Sequence, residues 1–193
     1  NISFVIIPIN FTDSKNTFSQ LEGIYTINVK NLIYNMKEVF ILAIYEFEGK
    51  RPVIGIDCFI HPQATVIGQV EIGDRVYIGA GAIVRADYGK IVIGTGSNIQ
   101  ENCVLHSEPE TIAILEENVL VGHGAIVHGP CLLKRLSLVG MGAIVSTGCE
   151  IGEESLLGSG SVLPPGKHIP ERKIAMGNPA VVVKDMTDNM LVY

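Results

Sequence analysis

The chain has 193 residues, the length of one domain with a small appendage. Fourteen Lys and Arg against twenty Asp and Glu leave a net charge of −6, which gives no electrostatic footprint for nucleic acid or for an anionic membrane surface. Hydrophobic residues make up 47% but aromatics only 6%, with no Trp and 21 glycines, so disorder is excluded and an aliphatic core with many tight turns is expected.

Residues 1–50 read as an N-terminal extension. Ile24–Val29 has a strand-like pattern, Met36 is a candidate natural start, and nothing in the segment suggests chemistry. The longest apolar run, Val39–Tyr45, is far shorter than the ~20 residues of a membrane span and lacks a small-residue cleavage site. The four cysteines have no CxxC spacing, which predicts reduced thiols in a cytoplasmic protein.

From Ile54 onward the sequence repeats every six residues. The aliphatic lead positions are Ile54, Ile60, Val66, Ile72, Ile78 and Val84, then Ile93, Ile99 and Leu105 after three extra residues. Four more residues intervene before Leu115, Val121, Val127, Leu133, Val139, Val145, Ile151, Leu157 and Leu163. Small residues recur in the fifth slot, and Cys58, Cys103, Cys131 and Cys149 all fall there, where cysteine behaves as a small hydrophobe.

A period of six does not fit a helix of 3.6 residues per turn, but it does fit a short strand plus a turn. Such units stack so that neighbours bury one continuous core. The pattern resembles the left-handed parallel β-helix of the hexapeptide-repeat family. That resemblance implies an all-β prism over residues 51–166, with three hexapeptides per coil and about six coils. Residues 167–193 follow as a Pro-rich exit segment and a short C-terminal helix, with Thr187 as its cap.

With three hexapeptides per coil, Val84, Leu105 and Val127 stack on one face. Arg85, His106 and His128, each following a lead, then form a column at about 4.8 Å spacing. His123 and Gln100 fall on the adjacent face. A tetrahedral three-histidine site needs nitrogens about 2.0–2.1 Å from one ion. One prism cannot easily supply all three, whereas two prisms side by side in a cyclic trimer can, with His123 coming from the neighbour. Arg85 and Asp87, two apart on a strand, project the same way. His61 and His168 have no partners in this register and read as surface residues.

Arg85-Ala-Asp87, Asn98-Ile-Gln100, His106 and Gly122-His123 with His128 resemble the γ-class carbonic anhydrase-like proteins. Within them, Leu105-His106, Glu116–His123 and Met176–Ala180 look most like the carnitine-operon and phenylacetate-degradation branch. The resemblance implies a homotrimer with interfacial Zn2+ (or Fe2+ or Co2+) sites, His106 and His128 from one subunit and His123 from the next. It implies that Gln100 bonds the bound water or substrate, that Asn98 lines the pocket, and that Arg85 and Asp87 pair across the interface. The activity implied is reversible CO2 hydration by metal-bound hydroxide, with bicarbonate as product.

Two departures stand out. Tyr88 follows Asp87 where the family prototype has a proton-shuttling glutamate, and the loop Ser107–Thr111, with Glu108 and Glu110, is short. The alternatives are a metal-dependent acyl-CoA thioesterase, a hexapeptide acyltransferase using a histidine as general base, and a trimer that metal merely staples. Cys103 lies near this pocket and is expected to be structural.

Overall fold

The computed structural model describes residues 43–190. They form a parallel β-solenoid of about seven turns with almost no helix. Each turn has three short strands, and each strand pairs in parallel with the strand of the next turn. On the first face Ile54, Ile72, Ile93, Leu115, Leu133, Ile151 and Ile169 stack in register. The second face stacks Ile60, Ile78, Ile99, Val121, Val139, Leu157 and Ala175. The third stacks Ile44, Val66, Val84, Leu105, Val127, Val145 and Leu163.

All but one of the expected leads are fully buried, Ile54 being only partly so. The fifth-slot cysteines Cys103, Cys131 and Cys149 also point inward, and Cys58 is half-buried. Burial, with Cys149 beside it, pushes the Cys131 thiol up to about 12, and burial raises Cys103 and Cys149 as well, which keeps these thiols protonated and unreactive. Leu133 is wholly buried at mid-height. Leu133→Ala is expected to cost about 2–5 kcal/mol by leaving a cavity. Chemical unfolding checks this, with the outward-facing Leu132→Ala as the near-neutral reference.

The solenoid is one turn longer than the expected six because Ile44 joins below and Ile169 and Ala175 join above. Ile44 escapes the period because a tight turn bridged from Phe47 to Lys50 separates it from Ile54. At the top, Pro164 and Pro170 belong to the Pro-rich exit and end the ladder of two faces. In every lower coil of the first face, the residue after the lead donates its N–H to the lead carbonyl one coil up, as Lys134 does to Ile151 and Gly152 to Ile169. Pro170 holds that position at the top of the first face. Pro164 holds the equivalent one after Leu163 on the third face, to whose carbonyl Ser146 donates from below; among the described residues no rung pairs above either. The missing N–H of proline costs nothing there.

The expected C-terminal helix is replaced by an antiparallel hairpin. Lys173–Gly177 pairs with Ala180–Asp185, and among the described residues only a single 3-10 turn, Asp188–Met190, follows, with Met190 N–H on the Thr187 carbonyl. The β-branched run Val181–Val183 favours a strand over a helix. The expectations for residues 1–42, including Ile24–Val29 and Met36, lie outside the described residues. Among the described residues no helix is long and apolar enough to cross a membrane.

Candidate metal centre

The column expected on the third face forms as the register requires. Arg85 pairs with His106 and His106 with His128 as direct neighbours on successive strands. The two imidazole centroids lie 5.2 Å apart at an interplanar angle of 54°. Nδ1 of His106 is 3.3 Å from Nε2 of His128. The edge of a tetrahedron with bonds of 2.0–2.1 Å is about 3.3–3.4 Å, so two nitrogens already stand at the separation a zinc-type ion requires. These two imidazoles are thus of a kind and spacing that such an ion accepts as two of its ligands.

Asp87 holds the other side of His106, with Oδ1 3.3 Å from Nε2. Its Oδ2 accepts a hydrogen bond from Arg85 of the same chain, as the shared direction of residues two apart requires. Burial works to raise the Asp87 carboxyl, but the Arg85 hydrogen bond and charge hold it below the ordinary value. Burial, then the Arg85 charge, lowers the His106 imidazole, which keeps it neutral near pH 7, the form a metal needs. Glu108, in the inserted loop, has Oε1 3.7 Å from Nδ1 of His128.

His123 lies on the second face, apart from this pair. Its backbone N–H donates to Oε1 of Gln100 at 3.1 Å, which leaves the Gln100 amide NH2 free of that contact. Its Nδ1 lies 2.7 Å from Oε2 of Glu101. The other oxygen of Glu101 accepts from the Tyr77 hydroxyl at 2.9 Å. That bond, then burial, raises the Tyr77 phenol. The Glu101 backbone N–H, then Tyr77, lowers the Glu101 carboxyl. Asn98 Oδ1 is buried with no donor among the described residues. Within one chain, no group of three His, Cys, Asp or Glu gathers closely enough to hold an ion among the described residues. His61 Nδ1 accepts the Gln63 N–H, and His168 sits exposed near Glu150. Tyr88 is exposed and edge-on to Phe47.

Tyr77 and Glu101 are not among the candidate residues that the sequence motifs single out. A signal existed: Glu101 stands two residues after Ile99 as His123 stands two after Val121, and Ile99 pairs with Val121. Glu101 is thus one coil below His123 in the same column. Glu108 lies in an insertion, where the repeat makes no prediction.

A stack of six-residue rungs with an aliphatic core and glycine turns defines a hexapeptide-repeat protein. The model of that family, bacterial transferase hexapeptide (six repeats), matches residues 51–86. The carnitine operon protein CaiE of Salmonella typhi is 41% identical over 152 residues, 79% of this chain and 76% of that protein. Among solved structures, a Bacillus cereus protein named "putative acetyltransferase" is 38% identical, with a TM-score of 0.75, over 77% of this chain and 86% of its own. A hexapeptide transferase family protein of Anaplasma phagocytophilum is 34% identical, with a TM-score of 0.72, over 76% and 86%. The chain belongs to the hexapeptide-repeat family that includes the CaiE proteins.

Proposed function

We propose that the chain assembles as a homotrimer whose interfaces each build a three-histidine metal centre for γ-type reversible hydration of CO2. The 3.3 Å separation of His106 Nδ1 and His128 Nε2 carries this reading. His106 and His128 would hold the ion from one subunit and His123 from the next. A zinc-type ion there supplies Lewis acidity and an open coordination position; imidazole ligands alone do not select zinc over iron or cobalt. Asp87 orients His106 through Nε2. The free amide of Gln100 and the unpartnered Oδ1 of Asn98 are the polar groups left to orient a small oxygen-rich substrate. Glu108 is the carboxylate within reach of solvent that can take up a proton near His128.

Two apolar ladders support the assembly. Ile83, Val104, Ile126 and Ile144 line the outside of the third face beside the histidine column, with Ile83 and Ile126 exposed. Leu120, Leu138 and Leu156 line the second. Facing apolar stripes of this kind are what adjacent prisms bury on association.

Acyl transfer from a thioester is the second reading, favoured by the transferase names of relatives 34–38% identical. There a histidine would act as general base without a metal. Metal analysis and solution mass of the purified chain, followed by CO2 hydration and CoA-thioester assays in parallel, separate the readings. About one metal per chain on a trimer, with hydration lost to a chelator and restored by zinc, is expected. A trimer that takes up neither zinc nor anaerobic iron overturns the metal centre and puts acyl transfer first.

A further inference from the structure

Four side chains on the second face form a continuous line that ends at His123. The Phe59 and Tyr77 rings stack with centroids 5.3 Å apart and planes 12° from parallel. Tyr77 donates its hydroxyl proton to Oε1 of Glu101 at 2.9 Å. Oε2 of Glu101 lies 2.7 Å from His123 Nδ1. Phe59, Tyr77 and the neighbours of Glu101 sit on three successive coils held in register by backbone pairing. The line is therefore rigidly spaced by the solenoid rather than by a loop.

We propose that Glu101 and Tyr77 are positioning residues that fix the tautomer and orientation of His123, so that its Nε2 lone pair is presented outward to the ion of the neighbouring subunit. This rests on the three-histidine reading above. The reasoning is chemical. A neutral imidazole carries one N–H and one lone pair, and the nitrogen that faces a carboxylate keeps the proton. Glu101 claims Nδ1, so Nε2 is left as the ligand atom. Glu101 would swing if held only by His123, since His123 is exposed and Glu101 only half-buried in the single chain. Tyr77 removes that freedom by occupying its second oxygen, and Phe59 holds the Tyr77 ring. His106 and His128 already face each other across one subunit, so His123 is the ligand whose aim must be set from outside their strand pair. Setting it before association lowers the ordering cost of assembling the site.

The test uses full-length wild type, Glu101→Gln and Tyr77→Phe. The readouts are zinc affinity, by competition with a chelator, and the His123 tautomer, by 15N imidazole shifts in the metal-free chain. Wild type is expected to show His123 as the Nδ1–H form. Glu101→Gln is expected to lose that preference and to bind zinc roughly 10–100-fold more weakly. Tyr77→Phe keeps the carboxylate and is expected to weaken zinc binding by a smaller factor, with partial loss of the tautomer preference. Unchanged solution mass in both variants excludes a general folding defect. Glu101→Gln with wild-type zinc affinity and an unchanged tautomer overturns the positioning role while leaving the metal centre intact. A wild type that takes up no zinc overturns the metal centre itself, and this role with it.

Discussion

His123→Ala is expected to empty every metal site of the trimer, although the histidine pair His106 and His128 is untouched. Each proposed site draws one imidazole from the second face of one subunit and two from the third face of its neighbour. One substitution per chain therefore removes one ligand from all sites, and two neutral imidazoles are too few for a structural or catalytic zinc centre. Metal content should fall from about one per chain to background, with hydration activity lost alongside. His106→Ala should do the same. The stronger expectation concerns mixtures. When His123→Ala and His106→Ala chains are unfolded and refolded together, each mixed trimer regains one interface with all three histidines. An equal random mixture should then recover about a quarter of the sites, because three-quarters of the trimers are mixed and each restores one site in three. Metal analysis and hydration rate of the refolded mixture check this. No recovery above the separate variants would mean that the histidines are not shared between subunits.

Gly68→Ala is expected to be among the most damaging single-methyl changes in the chain, and to reach the site from below. Gly68 has φ +78°, and a Cβ there would stand 2.2 Å from the Ala86 carbonyl oxygen and 2.7 Å from its carbon. Gly68 pairs directly with Ala86, which lies between Arg85 and Asp87. The left-handed backbone alone costs about 1–3 kcal/mol with a Cβ. The collision adds to that, since its partner is backbone inside a parallel ladder and cannot swing aside. A fall in Tm of several degrees or more is expected. Displacing Ala86 should also draw Asp87 away from Nε2 of His106 and weaken zinc binding. Gly142→Ala is the control: φ is +64° and nothing stands within 4 Å of the added Cβ, so it bears strain without collision. Thermal unfolding and zinc affinity of the pair should separate the two effects. Equal losses in both variants would show that strain alone accounts for Gly68.

Most of the solenoid was legible because its core is one-dimensional. Every sixth residue points inward, and the two insertions, three residues at 87–89 and four at 108–111, merely shift the count before the register resumes. That same register carried the Arg85, His106 and His128 column, since residues equally distant from their leads must stack. What escaped had other causes. Pro164 and Pro170 look like breakers in isolation, and only the absence of a coil above makes them harmless. The terminal hairpin depends on Val181–Val183 folding back on the neighbouring strand Lys173–Gly177, a local antiparallel pairing that the six-residue parallel period does not encode. The Tyr77–Glu101–His123 line was encoded in the register but fell between a position before one lead and positions after two others. Glu108 approaches His128 from a loop that breaks the period, so only coordinates place it.

The two prolines of the last coil bear on how the molecule ends. A parallel solenoid is an open ladder, and nothing in its repeat limits its length. A further copy stacked end-on would need upward-pointing donors from this coil. Pro164 and Pro170 delete one such donor on each of two faces and set a ring where the next rung would lie. The second face of the cap is occupied by the hairpin, whose strand Ala180–Asp185 runs antiparallel to the last rung, Lys173–Gly177. Filament growth from this end is thus blocked by the same few residues that finish the core.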